Sequence, residues 1–372
     1  MGWPAMLSSR AMKAMLLAAG VGERMLPLTK LLPKPAIPVL GRPLAVLILH
    51  RLAQEGISTV VVNLHHHPER IRTLLGDGSD VGFKRLCYSE EKTILGTAGG
   101  IRKAAQFLQG GETILVRNSD FLADIDLHQV TASHLASGSM VTLVLAPHRT
   151  GYPAIEVDAS GHVLSLGGLP RANVGKVAGS YLFTGFQLME EEALDRIPRV
   201  APSDLVRDLY RPLVAQRQVS SYVHRGFWWE FGSPEHYLEG SLELLGMDPA
   251  RRLQVALTDP VEQVGGATVA VGAGADCHAG TDLRGRVALG FASFVGEGTV
   301  LEDTVVMPEA WIGPGSSLRR AIVGPGTEVP AGFQAEDALV CTDPDPAAPL
   351  PPDTERVAGL AVRSMTPRPV AR

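Results

Sequence analysis

A short apolar strand that opens into a glycine-rich loop is the feature that most constrains this chain. Residues 15–19 read Met-Leu-Leu-Ala-Ala, and Gly20-Val21-Gly22-Glu23-Arg24 follows directly. Such a run is typical of a central strand whose carboxyl end presents backbone N–H groups to a phosphate. Arg24 and Lys34 add fixed positive charge to the same stretch. The stretch therefore predicts an α/β protein that handles phosphate.

Predicted helices and strands alternate after this loop. Residues 44–55 repeat apolar side chains at helical spacing, and residues 59–64 form a β-branched apolar run that suits a strand covered on both faces. A strand, a helix and a strand in this order imply a right-handed parallel crossover. The alternation continues, with a hairpin signal near residues 155–161, up to a helix at 235–245. We therefore expect a Rossmann-like mixed, mainly parallel sheet with flanking helices over residues 12–248.

The composition changes near Pro249. Beyond it, aliphatic triplets return about every six residues with glycine between them, as in Val287-Ala288-Leu289-Gly290. A glycine-rich loop region is the alternative, but loops rarely return aliphatic side chains at a fixed period, so the pattern favours a hexapeptide β-helix over residues 249–340. Residues 341–372 are rich in proline and alanine and are expected to form a mobile tail. Residues 1–11 are expected to be an uninformative extension, because Met12 is an equally good start.

Charge and cysteine content narrow the functional classes. The formal net charge of -5 argues against a protein that wraps nucleic acid or lies on an anionic membrane. Cys87, Cys277 and Cys341 lack the paired spacing of a zinc site or a disulfide framework, which favours a reducing cytoplasm. The β-helix is expected to bury an exposed face in a homo-oligomer. Phosphate binding must then be local to a few side chains.

The glycine loop matches neither of two common phosphate motifs. It lacks the third glycine of the dinucleotide-binding fingerprint and the Gly-Lys-Ser/Thr of the ATPase phosphate loop. Its glycines, its Arg24, and the following Pro27-Leu28-Thr29 and Pro33-Lys34-Pro35 instead resemble the sugar-1-phosphate nucleotidyltransferases. The resemblance extends to Leu95-Gly96-Thr97-Ala98-Gly99, to Asn118-Ser119-Asp120 and to the aromatic run from Trp228 to Pro234.

The resemblance implies a fold, a reaction and a set of site residues. It implies a left-handed β-helix after the catalytic domain, as in bacterial mannose-1-phosphate guanylyltransferase-like proteins. It implies that Arg24 and Lys34 are catalytic, and that Asp120 and Glu230 hold Mg²⁺. It places the sugar phosphate at Gly185, and Lys176 is expected to bind it as well because of its proximity in sequence. The implied nucleotide-binding residues are Leu17, Ala19, Gly20, Gly22, Gly96, Thr97 and Asn118.

The sequence departs from the family where the sugar phosphate is bound. Gly168-Leu169-Pro170 stands where many relatives carry Glu-Lys-Pro, so Arg171 or Lys176 is expected to supply the missing positive charge. GTP and mannose-1-phosphate are the favoured substrates, with uridylyl or thymidylyl transfer to another sugar-1-phosphate as the alternative. A catalytically silent regulatory subunit is a further alternative. The run His65-His66-His67 is interpreted as a polar loop near the base or ribose, since consecutive extended residues do not converge on one metal ion.

Overall fold

The computed structural model describes residues 12–110, 113–169 and 175–365. The α-helices are α1 (Leu28–Leu31), α2 (Leu44–Gln54), α3 (Pro68–Leu75), α4 (Gly96–Leu108), α5 (Leu127–Ser137), α6 (Ala193–Arg196), α7 (Arg211–Ala215), α8 (Pro234–Gly246) and α9 (Pro249–Val255). Short 3-10 turns lie at Glu23–Met25, Lys34–Ala36 and Ser79–Val81, and a π-helix lies at Leu205–Tyr210.

The strands up to residue 230 are β1 (Lys13–Leu17), β2 (Pro38–Val39), β3 (Arg42–Pro43), β4 (Thr59–Leu64), β5 (Arg85–Glu90), β6 (Ile114–Asn118), β7 (Phe121–Ala123), β8 (Val141–Pro147), β9 (Ile155–Val157), β10 (Val163–Leu166), β11 (Gly179–Met189), β12 (Val219–Val223) and β13 (Trp228–Glu230). Those that follow are β14 (Val261–Val264), β15 (Ala267–Val271), β16 (Asp276–Cys277), β17 (Asp282–Leu289), β18 (Phe294–Val295), β19 (Val300–Val306), β20 (Trp311–Ile312), β21 (Ser317–Val323), β22 (Glu328–Val329), β23 (Gln334–Thr342), β24 (Thr354–Val357) and β25 (Leu360–Ser364).

The chain divides into two compact units. The first takes residues up to Gly20 and Ile48–Trp228, and the second takes Val21–Leu47 and the residues from Trp229 onward. This division differs from the predicted boundary at residue 248. The segment Val21–Leu47, which carries most of the glycine loop, is grouped with the C-terminal strands rather than with the sheet.

The first unit is built on a mixed sheet with the order β10-β9-β11-β6-β1-β4-β5, from which β8 and β12 branch at β11. Strands β6, β1, β4 and β5 run parallel, and β11 runs antiparallel to β6. The central strands β1 and β4 are mainly apolar because they are covered on both faces, and α4 packs against both. The predicted α/β fold class is confirmed here.

The second unit contains a β-helix. Its larger sheet has the order β14-β15-β17-β19-β21-β23-β25-β24, and its smaller sheet the order β16-β18-β20-β22. Val269 lies opposite Val287, and Ile322 opposite Leu339, so successive coils stack equivalent aliphatic side chains. The core of these coils is mainly apolar, with Val287, Leu318 and Val323 among its buried members. Stacking explains the sequence period, since each coil buries its apolar side only against its neighbours.

The chain beyond residue 341 differs from the sequence prediction. The predicted mobile tail contains β24 and β25, which form an antiparallel pair, and β25 also pairs with β23. The side chain of Arg356 anchors this hairpin through Asp343 Oδ2 at 2.6 Å and through the carbonyl of Ala348 at 2.7 Å. Proline and alanine content predicted mobility because composition alone does not show which polar side chains meet.

Helix α8 connects the parts of the second unit. It contacts β15, β17, β19 and β21, and its Tyr237 hydroxyl donates to the carbonyl of Pro38 at 2.6 Å. The hairpin of β2 and β3 is held in turn by Asp259, whose backbone N–H donates to the carbonyl of Leu40. A methyl group at Gly41 (φ +87°) would lie 1.7 Å from the carboxylate oxygen Oδ2 of Asp259, so this position requires glycine. None of the described helices has the length and apolar character needed to cross a bilayer.

Candidate functional site

The carboxyl ends of three parallel strands meet in the first unit. Leu17, the last residue of β1, lies opposite both Asn63 of β4 and Asn118 of β6. The backbone N–H of Ser119 donates to the carbonyl of Leu17 at 3.2 Å. Ala19 and Gly20 continue from this point, so the predicted nucleotide-binding residues Leu17, Ala19, Gly20 and Asn118 follow the edge where α/β sheets bind ligands.

A buried amide and carboxylate link two of the predicted nucleotide loops. Asn63 accepts the backbone N–H of Ala18 at 2.7 Å and donates to Glu91 Oε1 at 2.7 Å. The other oxygen of Glu91 accepts the backbone N–H of Leu95 at 2.9 Å. Glu91 is 2% exposed, and a methyl group at Gly100 would lie 2.7 Å from its Oε1. This relay fixes the end of β1 relative to the start of α4, and sequence reasoning missed both of its polar members.

The loop that starts α4 is shaped by a glycine and a threonine. Gly96 has φ +76°, and a side chain there would meet the carbonyl of Ser203 at 2.3 Å. The hydroxyl of Thr97 donates to Asp204 Oδ2 and accepts the backbone N–H of Leu205. Because the Thr97 hydroxyl holds the neighbouring π-helix, the groups left for a ligand at Gly96 and Thr97 belong to the backbone.

A buried arginine braces the turn that carries Asp120. Arg117 is 5% exposed, donates to the carbonyl of Phe121 at 2.8 Å and lies over the Phe121 ring. It also donates to the carbonyl of Asn118 at 3.3 Å. Burial lowers the pKa of Arg117 to about 9, an effect that the nearby Asp120 carboxylate opposes. The guanidinium therefore stays protonated at neutral pH and holds both ends of the Asn118-Ser119-Asp120 turn.

A bulge in β11 brings Gly185 against Asn118. The pairing of β11 with β8 shifts between Phe183 and Phe186, and Gly185 has φ +81° there. A methyl group at Gly185 would lie 2.7 Å from Asn118 Nδ2, so the glycine is required by both space and backbone conformation. The carbonyl of Thr184 accepts the indole N–H of Trp228 at 3.0 Å.

An arginine that the sequence analysis did not single out lies beside this bulge. The Arg149 guanidinium lies 5.6 Å from the ring centre of Trp228, and Tyr152 packs its edge on the same indole. Of the predicted sugar-phosphate cations, Lys176 is exposed just before β11, and Arg171 lies outside the described residues. Gly168 and Leu169 follow β10 in a turn.

The histidine run forms the turn between β4 and α3. His65 Nδ1 is 2.8 Å from the carbonyl of Glu91, and His66 and His67 place their rings 4.1 Å apart. Burial lowers the pKa of His67, and the neighbouring His66 lowers it further. Within residues 12–110, 113–169 and 175–365, no cluster of three or more His, Cys, Asp or Glu side chains is arranged to hold a metal ion.

In the second unit, Gly22 starts the turn that carries Arg24. Its carbonyl accepts the backbone N–H of Met25 and the hydroxyl of Thr29, each at 2.9 Å. With φ +71°, and with Thr29 Cγ2 only 2.8 Å from where a methyl group would lie, this position requires glycine. Its nearest neighbours also include Lys34 Cβ at 3.5 Å. The separated motifs Gly-x-Gly, Pro-Leu-Thr and Pro-Lys-Pro thus form one packed loop.

The structure pairs two residues to which the sequence analysis gave separate roles. Arg24 Nη2 lies 2.6 Å from Glu230 Oε1, with the Arg24 side chain 61% exposed and that of Glu230 12% exposed. A methyl group at Gly232 would lie 2.0 Å from Glu230 Oε1 and 2.7 Å from Arg24 Nη2. Gly232 therefore leaves the space that this ion pair occupies, which explains its place in the run from Trp228 to Pro234.

Comparison with known protein families identifies the family of this chain. The family model described as nucleotidyl transferase matches residues 13–246. The chain belongs to the nucleotidyl transferase family. It is therefore an enzyme that transfers nucleotidyl groups, and the resemblance to the sugar-1-phosphate nucleotidyltransferases is confirmed.

Curated relatives of this nucleotidyl transferase carry different substrate names. A mannose-1-phosphate guanylyltransferase of Mycobacterium tuberculosis is 30% identical over 342 residues, covering 89% of this chain and 84% of the relative. A UTP–glucose-1-phosphate uridylyltransferase of Synechocystis is 28% identical, covering 82% of this chain and 86% of the relative. An N-acetylmuramate α-1-phosphate uridylyltransferase of Neisseria meningitidis is 38% identical over 229 residues, covering 60% of this chain and 94% of the relative.

Solved structures agree in fold. A Bacillus anthracis protein assigned as a glucose-1-phosphate thymidylyltransferase superposes with a TM-score of 0.56 at 17% identity, covering 64% of this chain and 97% of the other. HddC of Yersinia pseudotuberculosis gives a TM-score of 0.52 at 19% identity, covering 62% of this chain and 98% of the other.

Proposed function

We propose that this nucleotidyl transferase joins a nucleoside triphosphate to a sugar-1-phosphate and releases pyrophosphate. An oxygen of the sugar phosphate attacks the α-phosphorus, a new P–O bond forms, and the bond to the β-phosphate oxygen breaks. The observation that carries the proposal is the packed loop of Gly22, Thr29 and Lys34 with Arg24 oriented by Glu230. This loop holds two cations in place for a polyphosphate, and no side chain needs to become a covalent nucleophile.

Charge stabilisation accounts for the roles of the two cations. Arg24, largely exposed and held at one end by Glu230, would bind the triphosphate and stabilise the departing pyrophosphate. Lys34, half-buried at the start of its 3-10 turn, would act as a point charge at the α-phosphate and the incoming sugar phosphate. A positioned cation needs no reorganisation as charge builds on the phosphoryl oxygens, so it acts mainly on the transition state.

Asp120 and Glu230 are our candidates to hold Mg²⁺. Both offer carboxylate oxygens, the donor type that Mg²⁺ prefers, and Asp120 follows a strand end in a turn braced by Arg117. When bound, Mg²⁺ would neutralise charge on the phosphates. Glu230 would then have two partners, the metal and Arg24, so its position would couple the cation that binds the triphosphate to the metal.

GTP and mannose-1-phosphate are the first substrate proposal, because the guanylyltransferase relative matches along most of both chains. Uridylyl transfer is the second proposal, because the uridylyltransferase relative of Neisseria meningitidis has the higher identity over its matched part. Gly-Leu-Pro in place of Glu-Lys-Pro at residues 168–170 also supports a sugar other than mannose as the second proposal. Homo-oligomerisation through the β-helix is part of the proposal.

A substrate matrix tests the function directly. Purified full-length chain is assayed for pyrophosphate release with GTP, UTP and dTTP, each combined with mannose-, glucose- and N-acetylmuramate-1-phosphate in the presence of Mg²⁺. Turnover that requires both substrates supports the proposal, and the preferred pair identifies the base and the sugar. A chain that turns over no pair would favour the silent-subunit alternative.

Asp120→Asn is expected to raise the Mg²⁺ concentration needed for half-maximal rate.

A further inference from the structure

The last strand of the chain reaches the turn that carries Arg24. Arg363 of β25 donates from Nη1 to two backbone carbonyls, that of Arg24 at 2.8 Å and that of Leu26 at 2.6 Å. All three residues belong to the second unit. A single guanidinium nitrogen thus holds the backbone on both sides of Met25, at Arg24 and at Leu26.

These two carbonyls are well placed to control the Arg24 side chain. The turn is closed internally by the bonds from Met25 N–H to Gly22 and from Leu26 N–H to Glu23. The bonds from Arg363 join this turn to β25. One of them ends on the carbonyl of Arg24, whose side chain pairs with Glu230. Charge-assisted hydrogen bonds are the stronger kind, so this contact restrains the backbone beneath Arg24.

The strand that carries Arg363 is itself anchored. The flanking backbone N–H groups of Ser364 and Met365 donate to the carbonyls of Asp353 and Asp337 at 2.9 and 2.7 Å. The Nε of Arg363 is buried and has no hydrogen-bond partner within the described residues. An unsatisfied buried donor is unfavourable. The hydrogen bonds that Arg363 makes through Nη1 therefore keep the side chain in this position.

We propose that Arg363 is a positioning residue for nucleotidyl transfer: through the backbone of Arg24 and Leu26 it holds the Arg24 guanidinium in register with a bound triphosphate. The C-terminal hairpin is then part of the nucleotide-binding apparatus. This inference rests on the proposed function, because the role of Arg24 at the triphosphate belongs to it. Arg363 acts through the loop and does not itself contact substrate.

The test compares three variants of the full-length chain. Arg363→Gln removes the charge, and Arg363→Lys keeps it on a side chain without the guanidinium fork. Arg356→Gln is the matched control, because Arg356 anchors the same hairpin through Asp343 and Ala348 while Arg363 donates to the carbonyls of Arg24 and Leu26. The measurements are hydrogen exchange of the Met25 and Leu26 amides without substrate, the separate KM values for nucleoside triphosphate and sugar-1-phosphate, and the thermal unfolding midpoint.

The expected result separates positioning from simple stabilisation. Arg363→Gln speeds exchange at Met25 and Leu26 and raises the KM for nucleoside triphosphate about tenfold, with a much smaller change for sugar-1-phosphate, while Arg363→Lys recovers part of both. Arg356→Gln lowers the unfolding midpoint without a selective effect on the triphosphate. Unchanged exchange in Arg363→Gln, or faster exchange with an unchanged triphosphate KM, overturns the proposal. If the wild-type chain turns over no substrate pair, the proposed function fails first, and the exchange measurement still shows whether Arg363 restrains the loop.

Discussion

Single residues in this enzyme act mainly by controlling where other side chains and backbone groups lie. Arg117 brackets the Asp120 turn and Arg363 brackets the Arg24 turn, each by donating to two backbone carbonyls. Glycines supply the complementary device, because they leave space that a partner fills. Gly232 is the clearest case, since the ion pair of Arg24 and Glu230 occupies the space that a side chain at this position would fill.

Gly232→Ala is expected to lower activity without unfolding the chain. The new methyl group would fall 2.0 Å from Glu230 Oε1 and 2.7 Å from Arg24 Nη2, both ends of flexible side chains that can move aside. The fold then survives while Arg24 loses its orientation, and we expect kcat/KM to fall about a hundredfold. Gly280→Ala is the control, because its nearest neighbour would be 3.6 Å away. An unchanged kcat/KM in Gly232→Ala would show that the ion pair does not orient Arg24 for catalysis.

Glu91→Gln tests the relay between the nucleotide loops. The carboxylate accepts from both Asn63 Nδ2 and the Leu95 N–H, and an amide can offer only one acceptor oxygen to these two donors. The unsatisfied buried donor costs about 1–3 kcal/mol, so we expect the KM for nucleoside triphosphate to rise roughly tenfold. Glu90→Gln is the neighbouring control, since Glu90 is 48% exposed and pairs with Arg72. Equal kinetics for the two variants would remove Glu91 from the nucleotide site.

At the scale of elements, the apolar pattern determined what could be predicted. Continuous runs such as 59–64 identified covered strands, and the returning aliphatic triplets identified the β-helix, because both patterns follow directly from burial. The contacts that arrange the site could not be predicted in the same way. The pairs Asn63–Glu91 and Arg24–Glu230 join residues far apart in sequence, and no local pattern specifies which polar side chains meet. The hairpin of β24 and β25 was missed for another reason: its two-residue turn, Ala358-Gly359, is a local signal, and the proline and alanine content of the surrounding stretch was given more weight.

The turn between β9 and β10 offers a test at the same scale. Burial by itself raises the pKa of Asp158, but hydrogen bonds from Ser160, His162 and Arg217 outweigh it and hold the pKa at about 2. The folded-state pKa is below the unfolded value, so this stabilisation is present above pH 4 and is lost as the pH falls towards 2.

Urea unfolding of the wild type and of Asp158→Asn should follow that sign. We expect the variant to have the lower midpoint, by a constant amount between pH 7 and pH 5. The difference should shrink below pH 4, because Asp158 binds a proton in the unfolded wild type there while the folded carboxylate stays ionised until about pH 2. Ser221→Ala, which removes only a hydroxyl bonded to Gly161 in the same region, should lack this pH dependence. A difference that stays constant down to pH 3 would contradict the assignment.

At the scale of the whole molecule, the division of the chain separates the predicted site residues into two groups. Gly20, Asn118, Asp120 and Gly185 belong to the first unit, whereas Gly22, Arg24, Lys34 and Glu230 belong to the second. The sequence suggested a catalytic domain followed by an accessory β-helix. In the second unit Val21–Leu47 is grouped with the β-helix, and the Tyr237 hydroxyl of α8 donates to the carbonyl of Pro38, so the second unit supports the backbone that carries Arg24 and Lys34.

An aromatic pair on the smaller sheet of the β-helix tests homo-oligomerisation. Phe294 and Trp311 stack with ring centres 6.0 Å apart, Trp311 is 41% exposed, and the nearby Phe291 is 54% exposed. Grouped exposed aromatic side chains are typical of association surfaces, because burying them against a partner removes apolar area from water. We expect light scattering to give a multiple of the 39.6 kDa chain mass for the wild type and a lower mass for Phe291→Asp/Trp311→Ser. Leu253→Asp, a 62% exposed site on α9, should keep the wild-type mass. A wild-type chain that remains monomeric at micromolar concentration would overturn the expectation, and an oligomer unchanged by the double substitution would place the interface on another face.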